Sequence, residues 1–228
     1  MCIMYELIEQ LKSSQLLWQG THTPTLGEYL STGFDTLDNK LEGGYPKHGV
    51  VEIQSPSGIG ELRLMLPHIR QSETNKLSVF IQPPGCLCAE QLASENIDQK
   101  NVVVIYPQTP QHALWAAEQC LKSGACSHVF LWQSELEVHH ARRLQVASEE
   151  GDCLQFIFRQ QQQGQFSLPV SLSMTLSPHR HGVEVAITKR KGGWPQGKFT
   201  LSMSHLWPNL TLEQNAPVVV PFPMLKQG

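Results

Sequence analysis

Five short runs rich in β-branched and aromatic residues recur at 50–53, 77–81, 102–105, 129–132 and 154–158, separated by stretches with helical spacing. Each run is too short for a helix and predominantly apolar, the pattern of a strand buried on both faces. Such strands joined by helices imply a mostly parallel sheet with right-handed crossovers and helices on both faces, an α/β fold. Helices are expected near 61–71, 88–95, 110–123 and 134–149. The third is the clearest: Thr109 precedes Pro110, which suits a first helical turn, Leu114, Ala117 and Leu121 share a face, and Gly124 can stop the helix. Ahead of the first strand, Phe34, Leu37 and Leu41 lie at helical spacing and run into Gly43-Gly44.

Beyond residue 159 the grammar changes. A Gln-rich run, Gln160 to Gln165, is followed by alternating segments at 170–176, 182–188 and 198–203 that read as antiparallel strands joined by turns. Ile3, Leu7, Ile8 and Leu11 suggest an amphipathic opening helix over 3–17, and Pro217, Pro221 and Pro223 among Val218, Val219, Val220, Phe222 and Leu225 suggest an extended tail. The organisation expected is therefore an N-terminal helix and linker at 1–24, a core at 25–205 and a Pro/Val-rich tail at 206–228.

Charge excludes some functions. With 17 Lys+Arg against 20 Asp+Glu, the 228-residue chain lacks the concentrated basic surface of a bulk nucleic-acid binder, so any such grip must be local. No apolar stretch approaches the roughly 20 residues of a membrane-spanning helix, and Glu6 and Glu9 stand where a secretory leader would be basic. A cytoplasmic protein is expected. The six cysteines, Cys2, Cys86, Cys88, Cys120, Cys126 and Cys153, are scattered as reduced, mostly apolar side chains would be. Neither CxxC nor HxxxH spacing occurs, so no metal site is expected, and His139, His140, His179 and His181 suit surface positions equally well.

The first strand runs into Ser55-Pro56-Ser57-Gly58-Ile59-Gly60-Glu61-Leu62, the place of a phosphate-binding loop. A working loop, GxxxxGK[ST], presents backbone N–H groups and a lysine to phosphates and a hydroxyl to magnesium. Here Ser55 replaces the first glycine, Glu61 the lysine and Leu62 the hydroxyl. A carboxylate facing a triphosphate repels it. Trp132-Gln133-Ser134 offers no magnesium-holding acid after the fourth strand, and Gln82-Pro83-Pro84-Gly85 offers no water-activating glutamate after the second. These losses predict no ATPase activity and no cofactor, and an ordinary strand–turn–helix describes the segment equally well.

Ser31-Thr32-Gly33-Phe34-Asp35-Thr36-Leu37-Asp38, Gly43-Gly44-Tyr45-Pro46 and Val50-Val51-Glu52-Ile53 resemble the lead-in to the phosphate loop of the RecA ATPase core, and the resemblance extends through most of residues 25–200. More narrowly, Gly58-Ile59-Gly60-Glu61-Leu62-Arg63, Ala113-Leu114-Trp115-Ala116-Ala117-Glu118-Gln119, Ser123-Gly124-Ala125-Cys126 and Arg142-Arg143-Leu144-Gln145 resemble the ImuA family, which is distantly similar to the division inhibitor SulA. That resemblance implies a RecA-like P-loop NTPase core and a non-catalytic role in SOS-induced translesion DNA synthesis. The implied partners are RecA, the inactive polymerase homologue ImuB and an error-prone replicative-type polymerase. The alternative is a SulA-like protein that binds FtsZ.

The loops through which RecA-like filaments hold single-stranded DNA look shortened: Gln133 leads almost directly into the helix with Arg142 and Arg143, and the second loop is only the Gln-rich run to Pro169. Single-stranded DNA is therefore a weak candidate ligand. Arg142 and Arg143 suit either a phosphate backbone or a solvated helix face. The densest basic site is Lys189-Arg190-Lys191-Gly192-Gly193-Trp194-Pro195, with Lys198 beyond. Cations beside an aromatic suit single-stranded nucleic acid; the segment also resembles the RecA lysines that reach a neighbour's nucleotide, and a solvated hairpin tip accounts for the same residues. The opening helix and the tail are further candidate docking segments.

Overall fold

The computed structural model describes residues 28–71, 75–160 and 167–208. The expected opening helix, most of the Gln-rich run and nearly all of the expected tail lie outside the described residues.

A sheet of eight strands forms the middle of the molecule. In chain order its strands are β3 (Gly49–Gln54), β4 (Leu77–Ile81), β5 (Val102–Ile105), β6 (Cys126–Trp132), β7 (Leu154–Arg159), β8 (Leu172–His179), β9 (Gly182–Arg190) and β10 (Gln196–Ser202); β1 (Tyr29–Leu30) and β2 (Tyr45–Pro46) form a separate two-stranded ribbon. The spatial order is β10-β9-β8-β3-β7-β6-β4-β5. The fold is mixed α/β, with a mostly parallel central sheet and antiparallel C-terminal strands: β3 runs parallel to both β7 and β8, whereas β8, β9 and β10 pair antiparallel. β8 thus joins the two halves, a double role that alternation alone does not reveal, because periodicity identifies a strand's faces but not its neighbours.

Side-chain alternation divides the core into two layers. Val50, Val79, Ile81, Val129, Leu131 and Ile157 meet α4 (Pro110–Lys122) and α5 (Val138–Glu150) on one face. On the other face Val51, Ile53, Phe80, Phe130, Phe156 and Phe158 meet α1 (Asp35–Leu41), α2 (Leu66–Gln71) and α3 (Ala89–Ser94) through Leu37, Leu41, Leu66, Ile69 and Leu92. Phe80, Phe130 and Phe156 occupy registered positions on three parallel strands and stack at centroid distances of 4.7 and 5.1 Å. Offset rings of this kind contribute beyond their buried area.

Local chemistry explains the best-defined elements. Thr109 accepts the His112 amide hydrogen bond through its hydroxyl and Pro110 occupies the first turn of α4, as expected. In the Ser31–Asp38 segment, the Asp38 carboxylate accepts from the Ser31 hydroxyl and the Thr32 amide at 2.6 and 2.8 Å, which locks the approach to α1. Gly33, at φ +83°, lies where a Cβ would come within 2.3 Å of Pro67. Only glycine permits that contact between the lead-in and α2.

Two expectations fail. The helix expected at 61–71 begins at Leu66, because residues 61–65 form tight turns. The strand at 102–105 is not buried on both faces: β5 is the sheet edge, with Val103 and Val104 exposed.

Two imidazoles are buried on the aromatic side of the sheet. His68 on α2 and His128 on β6 meet edge to face at 4.8 Å, and each is only 2% exposed. Desolvation lowers the His68 pKa against the opposing pull of its hydrogen bond to Ser31 O, and pushes His128 well below the ordinary value of about 6.5. Both are therefore neutral when folded, while the unfolded chain takes up protons near pH 6.5. Their contribution to stability is complete above that pH and is lost below it, by at most about 1.4 kcal/mol per pH unit for each ring. Urea midpoints measured from pH 7.5 to 5 are expected to fall, and His128→Phe is expected to flatten the slope.

Candidate functional site

The loop after β3 opens at the carboxyl end of the parallel strands, where α/β sheets place their ligands. Gly58 and Gly60 hold φ values of +82° and +96°, conformations that free backbone N–H groups to face an anion. The anion present is internal. Glu61 folds back so that its Oε1 accepts from the Gly58 amide at 3.1 Å, and the residue is 6% exposed. A carboxylate of the loop itself thus occupies part of the cradle that a phosphate would use. Leu62, at the hydroxyl position, packs with Ile59 against the core.

The adjoining cleft, of about 610 Å³, is lined by Ser55, Ser57, Glu61, Gln82, Gln133 and Glu135 among others. Its walls carry two carboxylates, and Arg159 is the one cation among the described lining residues. That cation is already engaged. Arg159 Nη1 donates to Glu52 Oε1 at 2.6 Å and Nε donates to Ser134 O at 3.1 Å, with side chains 4% and 1% exposed for Arg159 and Glu52. The Ser173 hydroxyl donates to the other Glu52 oxygen at 2.7 Å and receives the Thr188 hydroxyl at 3.0 Å. The amide of Gln133 donates to Glu135 O, leaving Gln133 Oε1 and the nearby Trp132 Nε1 buried without partners among the described residues. Among its described residues the cleft therefore offers two carboxylates and neutral hydrogen-bonding groups, and no uncommitted cation. Among the described residues, no group of three His, Cys, Asp or Glu side chains is placed to hold a metal ion.

Ser55, Ser57 and Glu61 line one cleft, but the basic candidates do not form one patch. Strand alternation sends successive side chains to opposite faces. Lys189 Nζ donates to Leu168 O at 2.6 Å, whereas Arg190 pairs with Glu42 at the end of α1, also at 2.6 Å. Lys198 pairs with Glu184 at 2.7 Å. Lys191 remains exposed beside Trp194, which is 85% exposed. On α5, Arg143 bonds Glu118 of α4, while Arg142 is exposed and lines the larger cleft that adjoins the phosphate-loop site. Cys86 and Cys88 are exposed free thiols, and Cys126 and Cys153 are buried free thiols.

Sequence reasoning missed the Glu52–Arg159 pair. Its signal was available: an acid inside the run Val50-Val51-Glu52-Ile53 requires a buried partner, and Arg159 ends the neighbouring strand.

No protein-family model matches the chain. It is similar to the RecA protein of Prochlorococcus marinus (strain AS9601), with 36% identity over 99 residues that cover 43% of this chain and 27% of that protein. The RecA protein of Synechococcus sp. (strain CC9902) is 35% identical over 105 residues, covering 46% of this chain and 28% of the relative. The matches thus span little more than a quarter of these curated relatives. Among solved structures, SulA from Pseudomonas aeruginosa aligns with a TM-score of 0.42 and 22% identity, covering 49% of this chain and 98% of SulA. A stretch of this chain is accordingly RecA-like in sequence.

Removing Glu52 would leave the Arg159 charge stranded in the sheet. Glu52→Leu is expected to cost about 3–5 kcal/mol in urea denaturation, and adding Arg159→Met is expected to recover most of that loss.

Proposed function

We propose that this protein is a non-catalytic, RecA-like accessory factor of the ImuA type, acting in SOS-induced translesion DNA synthesis through contacts with RecA and with an assembly of ImuB and an error-prone replicative-type polymerase. The observation that carries the non-catalytic part is the Glu61 carboxylate on the Gly58 amide. It brings negative charge to the place of the terminal phosphates, and the nearest cation of the cleft is held by Glu52. Among the described residues of the cleft no uncommitted cation is available to neutralise a triphosphate, which argues against phosphoryl transfer there. The sequence similarity to RecA and the resemblance of the quoted motifs to ImuA support the assignment to a recombination and mutagenesis context.

Contact is what such a scaffold has left to offer. The accessible part of the basic turn is Lys191 with Trp194, since Lys189 and Arg190 are bound within the protein. An exposed tryptophan and an exposed lysine within one turn have the composition of an interface anchor.

Mg-ATP is expected to leave the Tm unchanged, because a ligand that does not bind the native state adds nothing to its stability; a saturable rise, or ATP turnover abolished by changing the loop, would refute the pseudoenzyme. In parallel capture with RecA filaments, ImuB and FtsZ, RecA or ImuB is expected to be retained. The double variant Lys191→Glu, Trp194→Ala is expected to weaken RecA capture about tenfold with an unchanged Tm. Retention of FtsZ alone would overturn the proposal in favour of a division inhibitor.

A further inference from the structure

The last turn of α4 and the first residue of β6 bring two thiols together. Cys120 lies on α4, and the chain reverses through the exposed residues Lys122, Ser123, Gly124 and Ala125 before β6 opens at Cys126. Gly124 takes φ +67°, and no atom stands within 4 Å of the place a Cβ would occupy, so the turn is open to solvent. Ser123 fixes the reversal. Its hydroxyl donates to Cys120 O at 2.7 Å, accepts from the Ala125 amide at 3.1 Å, and lies 3.7 Å from Cys126 Sγ. Across this turn the Cys120 thiol donates a hydrogen bond to the sulfur of Cys126.

The two sulfurs differ in access and in charge. Cys120 is half-buried, whereas Cys126 is 3% exposed and packs in the layer beneath α4. The hydrogen bond from Cys120 holds the Cys126 thiol down at about 7 against its desolvation, helped by the Ser123 hydroxyl and the Lys76 charge, and the same bond pushes the Cys120 thiol up. Above about pH 7 the pair therefore holds one proton, with the thiolate on the inner sulfur. Cys153 lies fully buried in the same layer, and burial pushes its thiol up, which keeps it protonated and away from reagents. The exposed Cys86 and Cys88 follow β4, at the opposite end of the sheet.

We propose that Cys120 and Cys126 are a redox modification site that closes to an intramolecular disulfide when the protein meets a peroxide, with Cys120 attacked first and Cys126 resolving it. In the first step Cys120 Sγ attacks one oxygen of hydrogen peroxide as its proton passes along the hydrogen bond to Cys126. The O–O bond breaks, hydroxide leaves, and Cys120 becomes a sulfenic acid. In the second step Cys126 Sγ attacks Cys120 Sγ, the S–S bond forms, the S–O bond breaks, and the departing hydroxide takes the Cys126 proton to leave as water. Two thiols are oxidised by two electrons and one peroxide is reduced to two waters. Sulfurs already sharing a hydrogen need little movement to bond, and the exposed turn gives a small oxidant its path to Cys120.

Peroxide treatment of the reduced full chain, followed by alkylation under denaturing conditions and peptide mapping, tests this. The expected product is a Cys120–Cys126 cross-link with a mass lower by about 2 Da, returned to two alkylatable thiols by dithiothreitol. Cys153→Ser is expected to form the same cross-link, while Cys126→Ser is expected to stop at a Cys120 sulfenic acid that dimedone traps. Alkylation of both Cys120 and Cys126 after peroxide, a bridge confined to Cys86 and Cys88, or a bridge from Cys120 to any cysteine other than Cys126 overturns the proposal. The mapping of the unaltered chain decides the matter even where a variant fails to fold. None of these readouts depends on RecA, ATP or DNA.

Discussion

One buried carboxylate in the middle of the sheet constrains much of this architecture. Glu52 lies on β3, between β7 and β8, where water does not reach it. Its partners must come from the flanking strands, and they do: Arg159 from β7 and Ser173 from β8, with Thr188 of β9 behind Ser173. Four strands are thereby tied in one register. A slip of one residue would turn the arginine to the opposite face and leave the charge alone. Buried ion pairs often add little net stability because desolvation opposes their attraction, so the effect of this one lies more in specifying which strands are neighbours.

The same pair shapes the chemistry above it. By holding Arg159 against Glu52 and Ser134 O, the sheet withdraws the cation that faces the cleft. Glu61 then supplies an acceptor to the Gly58 amide from within the loop. The anion accepted by this turn is therefore the chain's own. The charges of Glu52 and Arg159 are thus committed to one another within the sheet.

Much of this was legible in the sequence, and the limits have physical causes. The runs at 50–53, 77–81 and 154–158 announced buried strands because predominantly apolar character on both faces is what burial demands, and Thr109-Pro110 announced α4 because a cap and a fixed φ act locally. The exposure of β5 was not legible, since a run of valines is the same text at an edge as at a centre. The late start of α2 followed from Glu61 bonding back to Gly58, a choice that helical spacing does not register. Adjacency misled at Lys189-Arg190-Lys191: a pleated strand separates neighbours in sequence, so the apparent cluster divides between Leu168, Glu42 and solvent.

The polar groups left without partners also differ between the two ends of the sheet. At the carboxyl ends of the parallel strands they are neutral, Trp132 Nε1 and Gln133 Oε1. Near the opposite end they include the nitrogens of a guanidinium, in Arg190, together with imidazole nitrogens of His68 and His128. A neutral amide or indole left bare costs a few kcal/mol at most, whereas a buried cation without its full complement costs more. The internal hydrogen bond of the loop at 55–62 and the under-coordinated arginine beneath Gly193 thus lie at opposite ends of the sheet. Glu42 on Nη2 offsets part of that cost, while Gly193 closes the remaining donors off from water.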